Sequence, residues 1–180
     1  MSTNVERMRV IESGHLLLEP QLAAHADEMF VVLSDPAIYE YENGPPSSLE
    51  WLRDRYTKLE SRQSKDGTEQ WLNWVIRLRS GELIGYVQAT VHAGGRAAIA
   101  YELASAYWGQ GHAFAGTQAM IVELNGHYDV NRLSAVLKRQ NFRSQRLLER
   151  LGFGLATPKE LARRSVEADE MLMLRNLAPA

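Results

Sequence analysis

There is no cysteine among the 180 residues. That removes disulfides, thiolate metal ligands and a cysteine nucleophile together. Neither sign of charge is in excess: 20 Lys and Arg against 22 Asp and Glu leave a formal net charge of −2. A chain that grips phosphodiesters usually carries a basic surplus, so no nucleic-acid partner is expected. No run of about 18 apolar residues occurs, so no membrane span is expected. The first nine residues carry charges and no apolar stretch, unlike a signal peptide, and a cytoplasmic location is the default. The five histidines, at 15, 25, 92, 112 and 127, lack metal-ligand spacing, so no metal is expected. No Gly-x-Ser-x-Gly elbow marks a serine nucleophile.

What is present suits one domain spanning 1–180, with 45% hydrophobic residues to build a core. The chain is organised around residues 101–114, Tyr-Glu-Leu-Ala-Ser-Ala-Tyr-Trp-Gly-Gln-Gly-His-Ala-Phe. They read as the end of a strand, a turn with two glycines, and a helix whose stripe is Phe114, Thr117, Ile121, Leu124 and Tyr128. Such a turn leaves the first helical amides without partners, and the helix dipole adds partial positive charge there. The stretch therefore suits a phosphate or pyrophosphate held by backbone, or else is only a tight turn. It is neither a Rossmann fingerprint nor a Walker loop, because position 114 is not glycine and no Gly-Lys-Ser/Thr follows.

Around this centre the pattern predicts a first strand at 15–19 ended by Pro20. A helix with Leu22, Ala26, Met29 and Leu33 on one stripe follows, and Asp35-Pro36 stops it. His25 in that helix reads as solvated or half-buried. The segment from Tyr39 to Pro46 is a loop in which Tyr39, Glu40, Tyr41 and Glu42 either meet a cationic substrate or form a solvated rim. A capping box from Ser47 to Glu50 opens a second helix with Leu49, Leu52, Tyr56 and Leu59 inward. Strands are predicted at 70–79, 82–91 and 96–103, joined by short turns. Leu72, Trp74, Ile76 and Leu78 look like the core face of the first of these. Asn73 lies on the other face, where it reaches a cleft or only supports the sheet, and Gln88 and Thr90 share a face of the next. After the long helix come a strand at 131–137, a short helix capped by Asn141 and stopped by Gly152, and strands beginning at 152 and 170. Antiparallel hairpins followed by strand–helix–strand give an α+β fold with a mixed sheet.

Two stretches carry a resemblance. Trp108-Gly109-Gln110-Gly111-His112-Ala113 is similar to the Arg/Gln-x-x-Gly-x-Gly/Ala pyrophosphate loop of the GNAT superfamily of acyl-CoA N-acetyltransferases. Asn141 to Phe153 is similar to that family's Asn-x-x-Ser-x-x-Leu-x-x-x-Leu-Gly-Phe segment. The order of elements and the double-proline loop most resemble the branch with ribosomal-protein N-terminal acetyltransferases. The resemblance implies a mostly antiparallel sheet of about seven strands, splayed between the fourth and fifth, with helices on both faces. It implies acetyl-CoA as cosubstrate, an amine acceptor (a protein N-terminus or a small molecule), direct attack in a ternary complex, and allows a homodimer.

On this resemblance, acetyl-CoA would contact the strand end Leu103, Ala104 and Ser105, the loop Gly109, Gln110 and Gly111, and the helix start His112, Ala113 and Phe114. Of His112 only the backbone N–H is required. Asn141 would bind the pantetheine amide while capping its helix, and Arg143 and Arg146 could reach the 3′-phosphate. Trp108 departs from the family's first loop position and packs rather than binds. A backbone N–H near Leu103 suits the developing oxyanion. Glu102, a carboxylate in an apolar strand end, is the candidate base, or else a strand glutamate paired with an arginine. Ser144 is the candidate donor to the leaving sulfur, where family members often place a tyrosine; its alternative is a first-turn helix serine. The early glutamate found in many members is absent from Arg96-Ala97-Ala98. The acceptor would meet Tyr39, Glu40, Tyr41, Asn73 and Gln88. A catalytically weak acyl-CoA sensor and a protein for some other phosphate ligand are the competing readings.

Overall fold

The computed structural model of the chain describes residues 8–41 and 43–179, so Glu42 of the acidic loop lies outside the described residues. Its strands are β1 (Ile11–Ser13), β2 (Leu16–Pro20), β3 (Glu69–Leu78), β4 (Leu83–His92), β5 (Arg96–Leu103), β6 (Arg132–Lys138), β7 (Gly154–Leu155) and β8 (Glu170–Asn176). They form one sheet in the order β1-β2-β3-β4-β5-β6-β8-β7. Every neighbouring pair is antiparallel except β5 with β6. The expected α+β architecture with a mostly antiparallel sheet is observed. The extra strand comes from residues 11–13, which hairpin onto β2 and draw His15 into the turn rather than the strand. The anticipated fourth and fifth strands are thus β5 and β6.

Helices α1 (Ala26–Leu33) and α2 (Leu49–Leu59) cover one face, and α3 (His112–His127) covers the other. Two shorter helices, α4 (Phe142–Arg150) and α5 (Pro158–Leu161), follow β6 and β7. Trp74 and Ile76 of β3 pack with Met120, Ile121 and Leu124 of α3, all nearly or fully buried. Val75, on the face expected to be the outer one, is 0% exposed, because Met29, Leu52 and Tyr56 of α1 and α2 close over it. Alternation in the sequence showed one apolar face; a second helical layer makes the middle of the other face core as well.

Local chemistry sets the helix ends. The cap of α2 is Ser48, whose hydroxyl accepts from the Trp51 N–H at 3.0 Å, one residue beyond the anticipated Ser47. The same i to i+3 spacing serves either serine, and the helix starts at Leu49. Leu22 lies outside α1 and stays 44% exposed, so only Ala26, Met29 and Leu33 of that stripe reach the core. At the other sheet edge Thr157 and Glu160 form a reciprocal capping box.

The feature that creates a site is the failure of β5 and β6 to stay together. They pair only through Arg96–Arg132, Ala97–Leu133 and Ala98–Ser134, and part from Ile99 onward. β6 remains fully paired with β8 over seven residues. β5 stays on β4 to Leu103. The sheet therefore opens like a fork at the end of β5, as the resemblance implied.

Candidate active site

The turn after β5 begins with a 3-10 turn, Ser105–Tyr107, and ends with two glycines in left-handed conformation, Gly109 at φ 74° and Gly111 at φ 83°. Glycine accepts this geometry without the Cβ clash that other residues suffer. Gly111 caps α3 with no side-chain bond, and the Ala115 N–H bonds back to its carbonyl at 3.0 Å. The amides of His112, Ala113 and Phe114 precede that bond, so they have no acceptor within the helix. They face the positive end of a 16-residue helix dipole. Arg143 stacks on the Trp108 ring at 3.7 Å and Arg150 on Phe114 at 4.7 Å, adding two cations beside the loop.

The fork itself encloses a cleft of about 240 Å³. Its walls are Ile99 and Leu103 of β5, Ala135 and Val136 of β6, and Leu148 of α4. Ala104 donates to the Ile84 carbonyl at 2.9 Å. By antiparallel alternation the N–H and C=O of Glu102 also face β4, while those of Leu103 turn into the fork. The Trp108 indole N–H meets the Leu103 carbonyl at 2.8 Å, which agrees with that direction. Leu103 therefore presents an amide where an oxyanion donor was expected. The amides of Ala104 and Ser105 are committed elsewhere: Ser105 donates to Asp35 Oδ2 at 2.6 Å. The Ser105 side chain first, and then this backbone bond, hold the Asp35 carboxyl below its usual range. Any contact from these two to a ligand would come from carbonyl or side chain.

On the α4 side, Asn141 accepts from the Ser144 N–H at 3.1 Å and so caps its helix as expected. The Ser144 hydroxyl bonds the Tyr101 hydroxyl at 2.7 Å. Burial pushes Tyr101 up to about 12, so it keeps its proton at working pH. A tyrosine thus reaches Ser144 in the fork after all, supplied by β5 and not by α4. The sequence places Tyr101 beside Glu102, but only the approach of α4 brings it to Ser144.

A second cavity, of about 580 Å³, lies under α1, α2 and the 43–47 loop. Asn43, Tyr86, Gln88 and Glu102 line both cavities, so the two meet there. Tyr86 faces Glu102 across the β4–β5 pair, and its hydroxyl hydrogen-bonds the Glu102 carboxylate. Burial and the Glu102 charge raise Tyr86 well above the ordinary phenol value. Tyr86 therefore donates and Glu102 carries the negative charge. Tyr39 also lines this cavity, with its hydroxyl on the Leu33 carbonyl at 2.6 Å. Burial and then Glu102 raise it to about 12.

Of the anticipated acceptor residues, Tyr39 and Gln88 lie in the larger cavity, and Tyr41 lines the fork instead. Glu40 is exposed and bonds Tyr41, and Asn73 is buried on β3; neither lines a cavity. Sequence reasoning passed over Gln21, Trp51, Arg55, Tyr56 and Tyr86, which all line the larger cavity. Only the strand register, which sets Tyr86 opposite Glu102, could have singled out Tyr86.

His112 has a side-chain role that its sequence context did not suggest. Its Nδ1 lies 2.8 Å from His15 Nε2, and the ring is 8% exposed. One nitrogen must donate and the other accept, so the pair cannot be doubly protonated in this geometry. Burial and then His15 lower the His112 pKa below 6.5. A folded pKa below the unfolded one means that the unfolded chain binds more protons, so stability falls as pH drops through about 6.5. The melting temperature is expected to fall between pH 7.5 and 5.5, and His112→Asn to flatten that slope. Equal slopes in a pH series of melts would remove the histidine pair as its source.

An open-amide loop at a helix start thus lies beside a fork that meets a second, half-open cavity. The chain belongs to the GNAT acetyltransferase family, whose domain matches residues 15–154. Members of that family use acetyl-CoA. The fold is similar to that of RimL, a ribosomal-protein acetyltransferase solved with coenzyme A, at TM-score 0.75 and 18% identity over 94% of this chain and 98% of that one. A ribosomal-protein-S5-alanine acetyltransferase from Vibrio fischeri is similar at TM-score 0.75 and 18% identity, over 94% and 97%. The aminoglycoside acetyltransferase AAC(6')-Ib, solved with coenzyme A, gives TM-score 0.71 and 19% identity over 89% and 94%. No curated protein matches the sequence. Among the described residues no helix is long and apolar enough to cross a membrane.

Proposed function

We propose that this chain is a single acyltransferase domain that moves an acetyl group from acetyl-CoA to a primary amine within a ternary complex. The observation that carries this reading is Glu102 at the junction of the two cavities, charged and hydrogen-bonded to Tyr86. The residues present fit the cosubstrate: open amides at 112–114 for a diphosphate, an apolar fork for the pantetheine arm, and Asn141 and Ser144 along it. When bound, acetyl-CoA supplies the activated acyl thioester. Glu102 accepts the proton of the incoming ammonium, directly or through water, so that a neutral amine can attack. The Leu103 N–H donates to the carbonyl oxygen as charge develops on it. The Tyr101 and Ser144 hydroxyls bond each other; with Tyr101 as donor in that bond, the Ser144 proton is left for the sulfur. A homodimer and a cytoplasmic setting accompany this reading.

The test is a melting scan with coenzyme A and acetyl-CoA, followed by thiol release across an amine panel. Ligand at 100 times its dissociation constant should stabilise by about 2.7 kcal/mol. No shift with either form would sink the transferase reading; a shift without thiol release from any amine would favour the sensor. Tyr101→Phe is expected to lower kcat about 10-fold, the cost of one lost hydrogen bond, with KM for acetyl-CoA nearly unchanged. Ser144→Ala should do at least as much, and the double variant little more than Ser144→Ala alone. Additive losses would separate the two hydroxyls.

A further inference from the structure

We infer that Trp108 is a positioning residue for acyl transfer: its indole N–H occupies the Leu103 carbonyl, so that the Leu103 N–H alone is left to face the acyl oxygen. This rests on the acyltransferase reading, in which that N–H meets the oxygen as charge develops on it. The N–H and C=O of one extended residue point the same way and lie side by side. Whatever approaches the Leu103 N–H in the fork therefore also approaches the Leu103 oxygen. In a continuous sheet β6 would take that oxygen, but β5 and β6 part after Ala98–Ser134. Leu103 is 3% exposed, so its carbonyl calls for a partner from within the protein. Trp108 supplies it, with Nε1 at 2.8 Å.

The corner is fixed on every side. The peptide that carries the oxygen is held from β4, since the Ala104 N–H donates to the Ile84 carbonyl at 2.9 Å. The Trp108 backbone is held by its own N–H on the Ser105 carbonyl at 3.1 Å. Its ring lies under the Arg143 guanidinium of α4 at 3.7 Å, and both residues line the fork. The choice of an indole matters chemically. Its N–H donates and accepts nothing, so it cannot compete for the Leu103 N–H as a hydroxyl or a water would. Without it, the Leu103 oxygen would set partial negative charge beside the atom on which negative charge grows. It would also draw into the fork a water that takes the same N–H. Either change weakens a donor that must be ready before the reaction begins.

The test is steady-state thiol release by Trp108→Phe, with acetyl-CoA and the amine that the panel selects. The phenyl ring keeps a face for Arg143 and removes only the N–H and part of the ring. Turnover per molecule that binds coenzyme A should fall about 10-fold, with KM for acetyl-CoA changed by no more than about 2-fold. The factor should stay the same across pH, because the lost donor does not titrate, whereas a lost base gives a factor that varies. A Trp108 that only packs would lower the melting temperature and the fraction able to bind coenzyme A, and leave turnover per binding molecule unchanged. Should the phenyl variant misfold, benzothienylalanine at position 108 keeps the shape of the indole with sulfur in place of N–H, and fluorotryptophan there keeps the N–H. The first should reproduce the loss and the second restore turnover. Full turnover without the N–H, a loss shared by fluorotryptophan, or a loss confined to KM would overturn the inference. So would coenzyme A binding with no thiol release from any amine. If coenzyme A fails to shift the melt of the unaltered protein, the parent reading falls and takes this one with it.

Discussion

Glu102→Gln is expected to lower kcat/KM for the amine about 10²–10⁴-fold, the usual range for removing a positioned general base. The amide oxygen of glutamine still accepts from the Tyr86 hydroxyl, so the bond across β4 and β5 survives while the charge does not. Acetyl-CoA binding should be retained, because the loop amides at 112–114 and the fork walls are untouched. The loss should shrink as pH rises toward the pKa of the acceptor amine, where less base assistance is required. Tyr86→Phe separates catalysis from architecture: it removes the bond but leaves the carboxylate. If Glu102 were only a partner for Tyr86, Tyr86→Phe would lower the melting temperature more than Glu102→Gln, which keeps the bond, and neither would change turnover much. Thiol-release kinetics across pH, with coenzyme A titrations on both variants, discriminate the two outcomes.

Local signals carried the loop and the caps, and long-range pairing carried the rest. Gly109 and Gly111 followed by a helical stripe marked the turn into α3, since the left-handed turn and the open amides are properties of a short stretch of chain. Asn141 and Ser144 were legible for the same reason, being a cap and its third residue. Glu102 stood out as a carboxylate in an apolar strand end. Tyr86, Gln21 and Arg55 did not, because their places in the larger cavity depend on register and on where α2 lands, which one sequence does not display. Tyr101 was hidden in the same way: the short helix offers no tyrosine, and the one that meets Ser144 comes from the facing strand. By composition the segment from Tyr39 could meet a cationic substrate or form a solvated rim; Glu40 is exposed, as in the second reading, while Tyr39 lines the larger cavity. His15 and His112, 97 positions apart, meet only because the added hairpin of β1 and β2 brings the turn beside the start of α3.

The fork depends on a glycine outside every motif, and Gly85→Ala is expected to disable the enzyme more broadly than any change to a polar group. Gly85 sits opposite Leu103 in the β4–β5 ladder. A Cβ there would lie 2.1 Å from the Glu102 carbonyl oxygen and 2.8 Å from the Leu103 Cα. Both are backbone atoms, so no rotamer change relieves the clash and β5 itself must move. Overpacking of this kind costs about 1–3 kcal/mol, read as a lower melting temperature. The displaced segment carries the Glu102 carboxylate, the Leu103 N–H and the carbonyl that Trp108 holds. A shift near 1 Å at a reacting centre costs about 10²-fold in rate, so turnover should fall by at least that much in the fraction that stays folded. Gly126→Ala is the control: it lies in α3 with open space around its Cβ, and alanine there should stabilise by about 0.5–1 kcal/mol. Melting temperature and kcat/KM should therefore separate the two variants sharply. If Gly85→Ala matched Gly126→Ala in both, the close approach of β4 to the end of β5 would not be what holds the fork in register.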